Sequence, residues 1–390
     1  MAIEGRGDGD RGRRIRLGMV GGGEGAFIGA VHRIASRIDD HYELVAGALS
    51  STPDKARRSG AALGLTADRI YDDYQSMAKA EGKRADGIEA VAIVTPNHVH
   101  AGPTYAFLKA GIHVICDKPL TVSLAEAKKM REAAVKSGLV FALTHNYTGY
   151  PLIRRMREMV RAGELGEIRL VQAEYPQDWL AGAPETAGNK QAEWRVDPKR
   201  SGAGGALGDI GTHAYNLADY VTGLELAELA ADLTSFGAGR RLDDNAQIML
   251  RYGRGARGAI WASQVAPGNE NGLMLRVYGT KGGLQWRQDN PNYLFWSPHE
   301  KSTRIITRGG TDSGEAAARM TRIPPGHPEG YLEGFANIYS EVALAIKAAR
   351  VGKKPIKSVH FPTIDDGVKG LAFVEAAVKS SKANGKWVKP

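Results

Sequence analysis

Residues 15–29 decide the fold of this chain; they read IRLGMVGGGEGAFIG. The apolar run Ile15–Val20 has the length and composition of a buried strand, and it ends in a glycine-rich turn that is followed by helical spacing of apolar residues. Taken literally, Gly21-x-Gly23-x-x-Ala26 is the dinucleotide-binding fingerprint in the form that ends in alanine. Strand, turn and helix in this order therefore predict the first unit of a dinucleotide-binding domain.

The glycine-rich turn allows two alignments to that fingerprint. In both, Gly21 permits the tight turn and Gly23 lets the backbone approach a pyrophosphate at the positive end of a helix. The second alignment makes Gly29 the glycine of close helix packing and lengthens the loop. The cofactor contacts expected from this segment are Gly21, Gly23, Ala26, Phe27 and Ile28.

Short apolar runs then alternate with helical stretches as far as residue 144. The predicted strands are Ile15–Val20, Glu43–Leu49, Ala90–Thr95, Ile112–Cys116 and Val140–Thr144. The predicted helices are Ile28–Ile38, Pro53–Leu63, Tyr105–Ala110 and Leu124–Ser137. Continuous Val/Ile/Ala runs are typical of parallel strands buried on both faces. We therefore expect an α/β fold that begins with a Rossmann, doubly wound parallel sheet over residues 14–148.

The pattern changes after about residue 150. Segments that alternate apolar and polar residues are separated by glycine-rich turns: Ile168–Tyr175, Asn245–Tyr252, Ala256–Val265, Leu273–Tyr278, Leu284–Arg287 and Tyr293–Trp296. This alternation predicts a C-terminal α+β domain, residues 149–390, with a large, mainly antiparallel open sheet. A last helix, about Ile364–Ala383, is placed to pack back on the first domain. Residues 1–13 are expected to be a disordered tail.

Composition and charge exclude several classes of protein. The 390 residues carry a net charge of +9 without a long basic block, so we expect no nucleic-acid site. The apolar runs are strand-sized and the N-terminus lacks a secretory signal, so we expect no membrane span and a cytoplasmic location. The single cysteine, Cys116, excludes an internal disulfide and a cysteine-based zinc site.

The end of the second strand bears on the choice of cofactor. NAD enzymes usually place an acidic residue there to bind the adenosine ribose, whereas this chain has Ser50 and Ser51, with Lys55, Arg57 and Arg58 one helical turn further on. Without a carboxylate a 2′-phosphate is not repelled, and hydroxyls with nearby cations can hold it. The same hydroxyls also suit an unphosphorylated ribose. We expect NAD(P) as the cofactor, with a slight preference for NADP and contacts from Ser50, Ser51 and Lys55.

Motifs further along the chain are more specific. Thr95-Pro96-Asn97 follows the third strand, and Cys116-Asp117-Lys118-Pro119-Leu120 follows the fourth. Later come Trp194-Arg195, Gly204-Gly205 and Asp209-Ile210-Gly211-Thr212-His213. In this order and spacing the chain, from about Ile15 to its C-terminus, resembles the Gfo/Idh/MocA family, named for glucose–fructose oxidoreductase, inositol dehydrogenase and a rhizopine-catabolism protein.

The resemblance implies an NAD(P)-dependent oxidoreductase. Such an enzyme transfers a hydride between the nicotinamide and a secondary ring hydroxyl or ketone of a sugar, glycoside or cyclitol. It also implies self-association through the C-terminal sheet, as a dimer or tetramer. Three features depart from the family pattern. The usual Glu before the motif lysine is Asp117, and the phosphate loop is longer than usual. The segment Gly326–Tyr331 matches no general family motif and is expected to be a structured surface loop.

Three residues are expected to carry the chemistry. Lys118 follows a parallel strand beside the ligand crevice, and the resemblance implies that it donates a charge-assisted hydrogen bond to the reacting hydroxyl. Asp209 and His213 are four apart and share one face if a helix begins there. Histidine has the right intrinsic pKa to accept the hydroxyl proton, so His213 is the expected base. Asp209 is expected either to bind a neighbouring hydroxyl or to orient the histidine.

The remaining expected contacts lie at strand ends and where the second domain begins. Those for the cofactor are Thr95, Asn97, His100, Asp117, Lys118, Asn146, Trp194 and Arg195. Those for the substrate are Lys118, Tyr147, Trp179, Arg195, Asp209 and His213. His98 and His100 form a His-x-His pair, but no cysteine or carboxylate cluster completes a ligand set, so no metal is expected. His145, at the end of the fifth strand, is a further candidate contact.

Two other functions stay open from the sequence. One is a reductase of a non-sugar carbonyl or imine, which uses the same scaffold. The other is a non-catalytic NAD(P)-binding regulator. A regulator has no need of Lys118, Asp209 and His213 together, so their presence favours an enzyme.

Overall fold

A computed structural model describes residues 13–182 and 184–390 of the chain. The expected disordered tail falls on residues 1–13, of which all but the last lie outside the described residues. The first sheet has five parallel strands: β1 (Ile15–Gly21), β2 (Tyr42–Ala48), β3 (Ala90–Val94), β4 (His113–Cys116) and β5 (Phe141–Leu143). They follow the order β2-β1-β3-β4-β5. The predicted parallel sheet is therefore confirmed.

Five helices accompany these strands: α1 (Phe27–Ile38), α2 (Pro53–Ala62), α3 (Tyr74–Glu81), α4 (Ala101–Lys109) and α5 (Leu124–Ser137). Helix α3 is not among the predicted helices, and the predicted Tyr105–Ala110 is the second half of α4. Every residue of β3 is buried. Because successive side chains point to opposite faces, Ala92 and Val94 pack in the core under α1, and Val91 and Ile93 pack in the core under α4 and α5.

The second domain is built on an eight-stranded sheet: β6 (Ile168–Pro176), β7 (Leu226–Thr234), β8 (Asn245–Tyr252), β9 (Arg257–Ser263), β10 (Met274–Gly279), β11 (Gly282–Arg287), β12 (Tyr293–Pro298) and β13 (Arg304–Thr307). Its order is β13-β12-β11-β10-β6-β9-β8-β7, in which only β6 and β9 pair in parallel. The mainly antiparallel open sheet is confirmed. Strands β7 and β13 are additions that the sequence pattern does not predict.

Helices cover one face of this sheet and leave the other exposed. The short and medium helices of this half are α6 (Pro151–Arg161), α7 (Lys190–Arg195), α8 (Pro198–Ser201), α9 (Thr212–Thr222) and α10 (Gly314–Ala318). Leu152 and Met156 of α6 and Leu217 of α9 pack in one core with Val171 and Val277 of the sheet. Within the described residues no helix is long and apolar enough to cross a membrane.

Two long helices near the C-terminus connect the domains: α11 (Tyr331–Arg350) and α12 (Ile364–Lys382). Helix α11, which the sequence pattern does not predict, packs beside α1 and places Phe335, Tyr339 and Val342 in the core of the parallel sheet. Helix α12 has Leu371 in the other core of that sheet and Phe373 in the core of the second domain. The end of the chain thus completes the first domain as well as the second.

A buried ion pair anchors the segment before α11. Arg308 donates to Glu329 Oε1 at 3.0 Å, and both side chains are almost fully buried. The backbone N–H groups of Arg322 and Ile323 donate to the same carboxylate at 2.6 and 3.0 Å. Gly326–Tyr331 is therefore a structured loop whose tip is exposed and whose Glu329 is fixed by buried hydrogen bonds. The loop ends at Tyr331, which lines the cavity described below.

Candidate active site

A cavity of about 1090 Å³ runs along the carboxyl ends of the parallel strands and on into the second domain. Its wall brings together all of the expected site residues except His100 and His145: Gly21, Gly23, Ala26, Phe27, Ile28, Ser50, Ser51, Lys55, Thr95, Asn97, Asp117, Lys118, Asn146, Tyr147, Trp179, Trp194, Arg195, Asp209 and His213. Parallel strands end at one edge of a sheet, and ligands bind outside that edge. This is the candidate active site.

His100 is one of these two exceptions, and its expected contact with the cofactor is not supported. Its side chain is fully buried and does not line the cavity. Its Nδ1 lies 2.8 Å from the carbonyl oxygen of Pro119, and its Nε2 lies 2.9 Å from that of Thr95. The imidazole therefore links the turn that carries Thr95 to the turn that carries Lys118 through two hydrogen bonds, and it does not contact a ligand.

The glycine-rich turn forms a backbone cradle at one end of the cavity. A Cβ atom on Gly29 would lie 2.4 Å from Cα of Gly22, so Gly29 is the glycine of close helix packing and the second alignment is the correct one. Gly21 and Gly22 have φ of +79° and +70°, which favour glycine. Ala26 gives α1 no side-chain cap, so the amides of its first turn are left for an anion. The cradle fits a pyrophosphate.

At the adenosine end of the cradle, the arginines expected to favour a 2′-phosphate have other partners. Arg57 donates to Asp54 and to Asp72, both at 2.9 Å, and Arg58 lies 3.7 Å from Glu24. Neither arginine lines the cavity, whereas Ser50, Ser51 and Lys55 do. Glu24, Asp72 and Asp73 line it too. This end of the wall is more acidic than the sequence indicated.

Lys118 and Asp209 meet at the junction of the domains. Lys118 Nζ donates to Asp209 Oδ1 at 2.8 Å and to the Asp209 carbonyl oxygen at 2.7 Å. Arg195 and Gln264 donate to Oδ2 at 3.1 and 2.9 Å. Burial alone would raise the pKa of Asp209, but the charges of Lys118 and Arg195 outweigh it and hold the pKa well below its usual range. Asp209 is therefore a permanently ionised anchor for the lysine.

The backbone around Asp209 has an irregular helical turn. Leu207–Gly211 forms a π turn that runs directly into α9. Such turns are frequent at functional sites because they change the direction of the side chains that they carry. Among the described residues, the hydrogen-bond donors to the Asp209 carboxylate are Lys118, Arg195 and Gln264, and His213 is not one of them. The expectation that Asp209 orients His213 is therefore not supported.

Asp117, the residue before Lys118, has a structural role in the turn after β4. Its Oδ1 accepts from the backbone N–H of Lys118 at 2.9 Å and from Thr144 Oγ1 at 2.8 Å. Burial alone would raise the pKa of Asp117, but His32 and Lys118 together lower it to about 2. The ionised carboxylate fixes the turn that aims Lys118.

His213 lies on the cavity wall among aromatic rings. The centroids of Tyr147 and His145 are 4.9 and 5.3 Å from its own, both edge to face. Its Nδ1 is 3.5 Å from Nδ1 of His145, which leaves Nε2 for a ligand. Burial and the charge of Lys118 lower the pKa of His213 well below its ordinary value. The imidazole is therefore neutral at physiological pH and able to accept a proton.

Several cavity residues were missed from the sequence. Gln177, Arg200, Tyr331 and Phe335 line the wall without having been expected there. Tyr331 and Phe335 come from α11, whose helical periodicity is the signal that could have drawn attention to them. Trp179 Nε1 donates to Gln177 Oε1 at 3.1 Å, which combines an aromatic surface with an amide, as sugar sites do. Within residues 13–182 and 184–390, no group of three or more His, Cys, Asp or Glu is arranged to hold a metal.

These features define a class of protein. A Rossmann sheet carries a phosphate cradle, and a second domain closes its crevice with an ionised carboxylate and a neutral histidine. This is the organisation of a dinucleotide-dependent oxidoreductase of two domains.

Comparison with known proteins identifies the family. Residues 15–145 match the model of the oxidoreductase family with an NAD-binding Rossmann fold, and residues 153–285 match that of the GFO/IDH/MocA C-terminal domain. The chain belongs to the GFO/IDH/MocA family of NAD-binding oxidoreductases. The resemblance inferred from the motifs is confirmed.

Relatives cover nearly the whole chain. An oxidoreductase from Sinorhizobium meliloti is 59% identical, with a TM-score of 0.89, over 97% of this chain and 100% of that one. An inositol dehydrogenase homolog from Azotobacter vinelandii, complexed with NADH and myo-inositol, is 36% identical, with a TM-score of 0.91, over 97% and 98% of the two chains. Levoglucosan dehydrogenase from Pseudarthrobacter phenanthrenivorans is 27% identical over 96% and 98%.

Proposed function

We propose that this protein is an NAD⁺-dependent dehydrogenase that oxidises a secondary ring hydroxyl of a cyclitol, sugar or glycoside to a ketone. The observation that carries the proposal is the placement of Lys118 and His213 on the wall of one cavity with the phosphate cradle. The relatives named for inositol and levoglucosan support the substrate class.

Lys118 is the group that prepares the hydroxyl. An ammonium has three N–H donors, and two of those of Lys118 are used by Asp209. The third is available for the substrate oxygen. A charge-assisted bond there lowers the proton affinity of the alcohol and stabilises the negative charge that develops on oxygen. Asp209 keeps the ammonium fixed in this direction.

His213 takes the hydroxyl proton at Nε2. Its lowered pKa makes it a weak base, and Lys118 offsets this by making the alcohol more acidic. The glycine-rich cradle would hold the dinucleotide, which would supply a hydride acceptor for the alcohol carbon. The aromatic rings of Tyr147 and Tyr175 beside His213 exclude water from the proton-transfer path.

We propose NAD⁺ as the preferred dinucleotide, in place of the slight preference for NADP expected from the sequence. Arg57 and Arg58 are paired with carboxylates, and Asp72 and Asp73 line the same cavity as Ser50 and Ser51. Acidic side chains repel a 2′-phosphate and leave the serine hydroxyls for the ribose. The cytoplasmic location expected from the sequence stays a prediction.

Self-association through the second sheet is also part of the proposal. The face opposite the helices exposes apolar side chains on separate strands, with 47% of Leu170, 57% of Met249 and 56% of Ile305 accessible. Exposed apolar side chains on the open face of a sheet give two copies of the chain a surface on which to pack. Light scattering of the protein and of Met249→Glu tests it: the wild type is expected as a dimer or tetramer that the substitution weakens, and a monomeric wild type would contradict it.

The enzymatic proposal is tested by nicotinamide absorbance with purified protein, NAD⁺ or NADP⁺, and a panel of inositols, hexoses and glycosides including anhydro sugars. Turnover of one ring-hydroxyl class with NAD⁺ is the expected result. Reduction of a non-sugar carbonyl or imine without oxidation of any ring alcohol would favour the alternative reductase. Tight dinucleotide binding without turnover of either kind would favour the regulator.

A further inference from the structure

His145 and His213 form a buried histidine pair beside the proposed active site. His145 follows β5 in the first domain, and His213 lies in α9 of the second. Their Nδ1 atoms are 3.5 Å apart and their rings are nearly perpendicular, with an interplanar angle of 85°. His213 lines the cavity, whereas His145 lies behind it. His145 therefore contacts the expected base from the side away from the substrate.

Two neutral imidazoles in this arrangement determine each other's tautomer. Burial and the charge of Lys118 lower the pKa of both rings, that of His145 to about 3, so neither carries a second proton at physiological pH. A neutral imidazole has one N–H donor and one acceptor nitrogen. A hydrogen bond between the two Nδ1 atoms requires one to carry hydrogen and the other to be bare.

The direction of this hydrogen bond decides what His213 can do. If His213 donates from Nδ1, its Nε2 is bare and faces the cavity as a proton acceptor. If His145 donates, His213 Nε2 carries the hydrogen and cannot act as a base. The other ring neighbours of His213 are Tyr147 and Tyr175, whose hydroxyls bond to each other. Of the described residues, His145 is thus the hydrogen-bond partner that the structure gives the His213 side chain.

We propose that His145 is a positioning residue: its Nδ1 accepts the Nδ1–H of His213 and holds the tautomer whose bare Nε2 accepts the substrate proton. The inference rests on the proposed function, because it gives His213 the task of base. The arrangement repeats the common logic in which a base is oriented by a third group.

The kinetic test compares His145→Leu with His145→Asn. Leucine removes the acceptor, whereas the Asn side-chain oxygen can reach the place of Nδ1 and accept the same hydrogen. Leaving the Nδ1–H of His213 buried without an acceptor favours the wrong tautomer, so we expect kcat to fall about 10- to 100-fold in His145→Leu. The dissociation constant of NAD⁺ should not change, and His145→Asn should recover most of the rate.

A matched control separates tautomer control from the loss of a buried histidine. His113, at the start of β4, is partly buried, and its Nδ1 accepts from the backbone N–H of Val140. His113→Leu should keep the wild-type kcat. Equal losses in His145→Leu and His145→Asn, or no loss in either, would overturn the proposal.

The tautomer itself can be observed without any substrate. The ¹⁵N spectrum of histidine-labelled protein distinguishes Nδ1–H from Nε2–H, and the His213→Gln protein assigns the signals of His213. We expect His213 as the Nδ1–H tautomer in the wild type and a shift towards Nε2–H in His145→Leu. If His213 of the wild-type protein is the Nε2–H tautomer, the proposed role of His145 is overturned even if the enzyme turns over. A protein with the expected tautomer and no turnover would instead count against the proposed function alone.

Discussion

Lys118 and Asp209 are 91 residues apart in the chain, and Nζ of the lysine donates to both the carboxylate and the carbonyl oxygen of the aspartate, at 2.8 and 2.7 Å. The lysine belongs to the turn after β4 in the first domain, and the aspartate belongs to the π turn before α9 in the second. The two domains therefore share one charged contact at the cavity. That contact makes the direction of the Lys118 ammonium depend on how the domains pack.

Lys118→Ala should abolish most turnover while leaving the phosphate cradle intact. Loss of one preorganised donor to a developing charge costs on the order of 10²–10³-fold in kcat. Steady-state kinetics and NAD⁺ titration check this prediction. Lys128→Ala, on the exposed side of α5, is the matched control and should behave as wild type. A Lys118→Ala protein with normal kcat would contradict the role of the lysine.

His213→Ala should lose on the order of 10²–10⁴-fold in kcat, because a positioned general base contributes that much. The dissociation constant of NAD⁺ should stay close to that of the wild type. Circular dichroism should show a folded protein, since the deleted ring is at the cavity wall. Turnover near the wild-type level would remove His213 from the mechanism.

Asp209→Asn should make stability less dependent on pH in the acid range. The pKa of Asp209 is lower in the folded protein than its ordinary value of 3.8, because Lys118 and Arg195 outweigh burial. At pH values above the ordinary pKa, the ionised carboxylate therefore stabilises the folded protein. This contribution is lost as the pH falls towards the pKa of Asp209 in the folded protein. Denaturant unfolding at several pH values is the measurement. The difference in the free energy of unfolding between wild type and variant should be largest at neutral pH and should become smaller on acidification. A difference that does not change with pH would show that ionisation of Asp209 is not linked to folding.

Asp72→Asn should shift cofactor preference towards NADP⁺. The substitution removes a negative charge from the cavity wall and a partner from Arg57. One charge near a surface is worth about 1 kcal/mol at contact, so the ratio of kcat/KM for NADP⁺ over NAD⁺ should rise roughly fivefold. Asp68→Asn is the control, since Asp68 is exposed, pairs with Arg84 and lies outside the cavity. A wild type that prefers NADP⁺ would contradict the premise.

Gly29→Ala should weaken binding of the dinucleotide. Its methyl group would lie 2.4 Å from Cα of Gly22, so α1 must move away from the cradle. We expect the dissociation constant of NAD⁺ to rise at least about tenfold, since the helix N-terminus no longer meets the pyrophosphate. Gly253→Ala is the control, because nothing lies closer than 3.9 Å to its added carbon. Unchanged affinity in Gly29→Ala would mean that the close packing is not needed.

Much of the first domain could be predicted from the sequence for a local reason. Buried parallel strands require continuous apolar runs, and each run from β1 to β5 is visible in the chain. Residues directly after such runs must lie at one edge of the sheet, so the sequence alone places Thr95 and Lys118 at the crevice. The glycine-rich turn offered two alignments, and only the contact between Gly22 and Gly29 decides between them.

The predicted role of a site residue was wrong where its side chain forms a hydrogen bond with a residue that is distant in the sequence. Arg57 looked free to bind a phosphate, but its position is set by Asp72. His100 looked like a cavity residue, but Pro119 and Thr95 hold it beneath the wall. Asp209 shares a helical spacing with His213, yet the π turn and Lys118 direct its carboxylate elsewhere. None of these choices leaves a signal in local spacing.

The two kinds of sheet, the phosphate cradle and the family motifs could be inferred from the sequence, because period, run length and glycine placement are properties of neighbouring residues. Three features follow from the packing of the whole chain: Tyr331 and Phe335 of α11 reach the cavity, Asp209 holds Lys118, and His145 contacts His213. These contacts join residues that are far apart in the chain. They form when two domains pack against each other, and the side-chain partners that result depend on the whole fold.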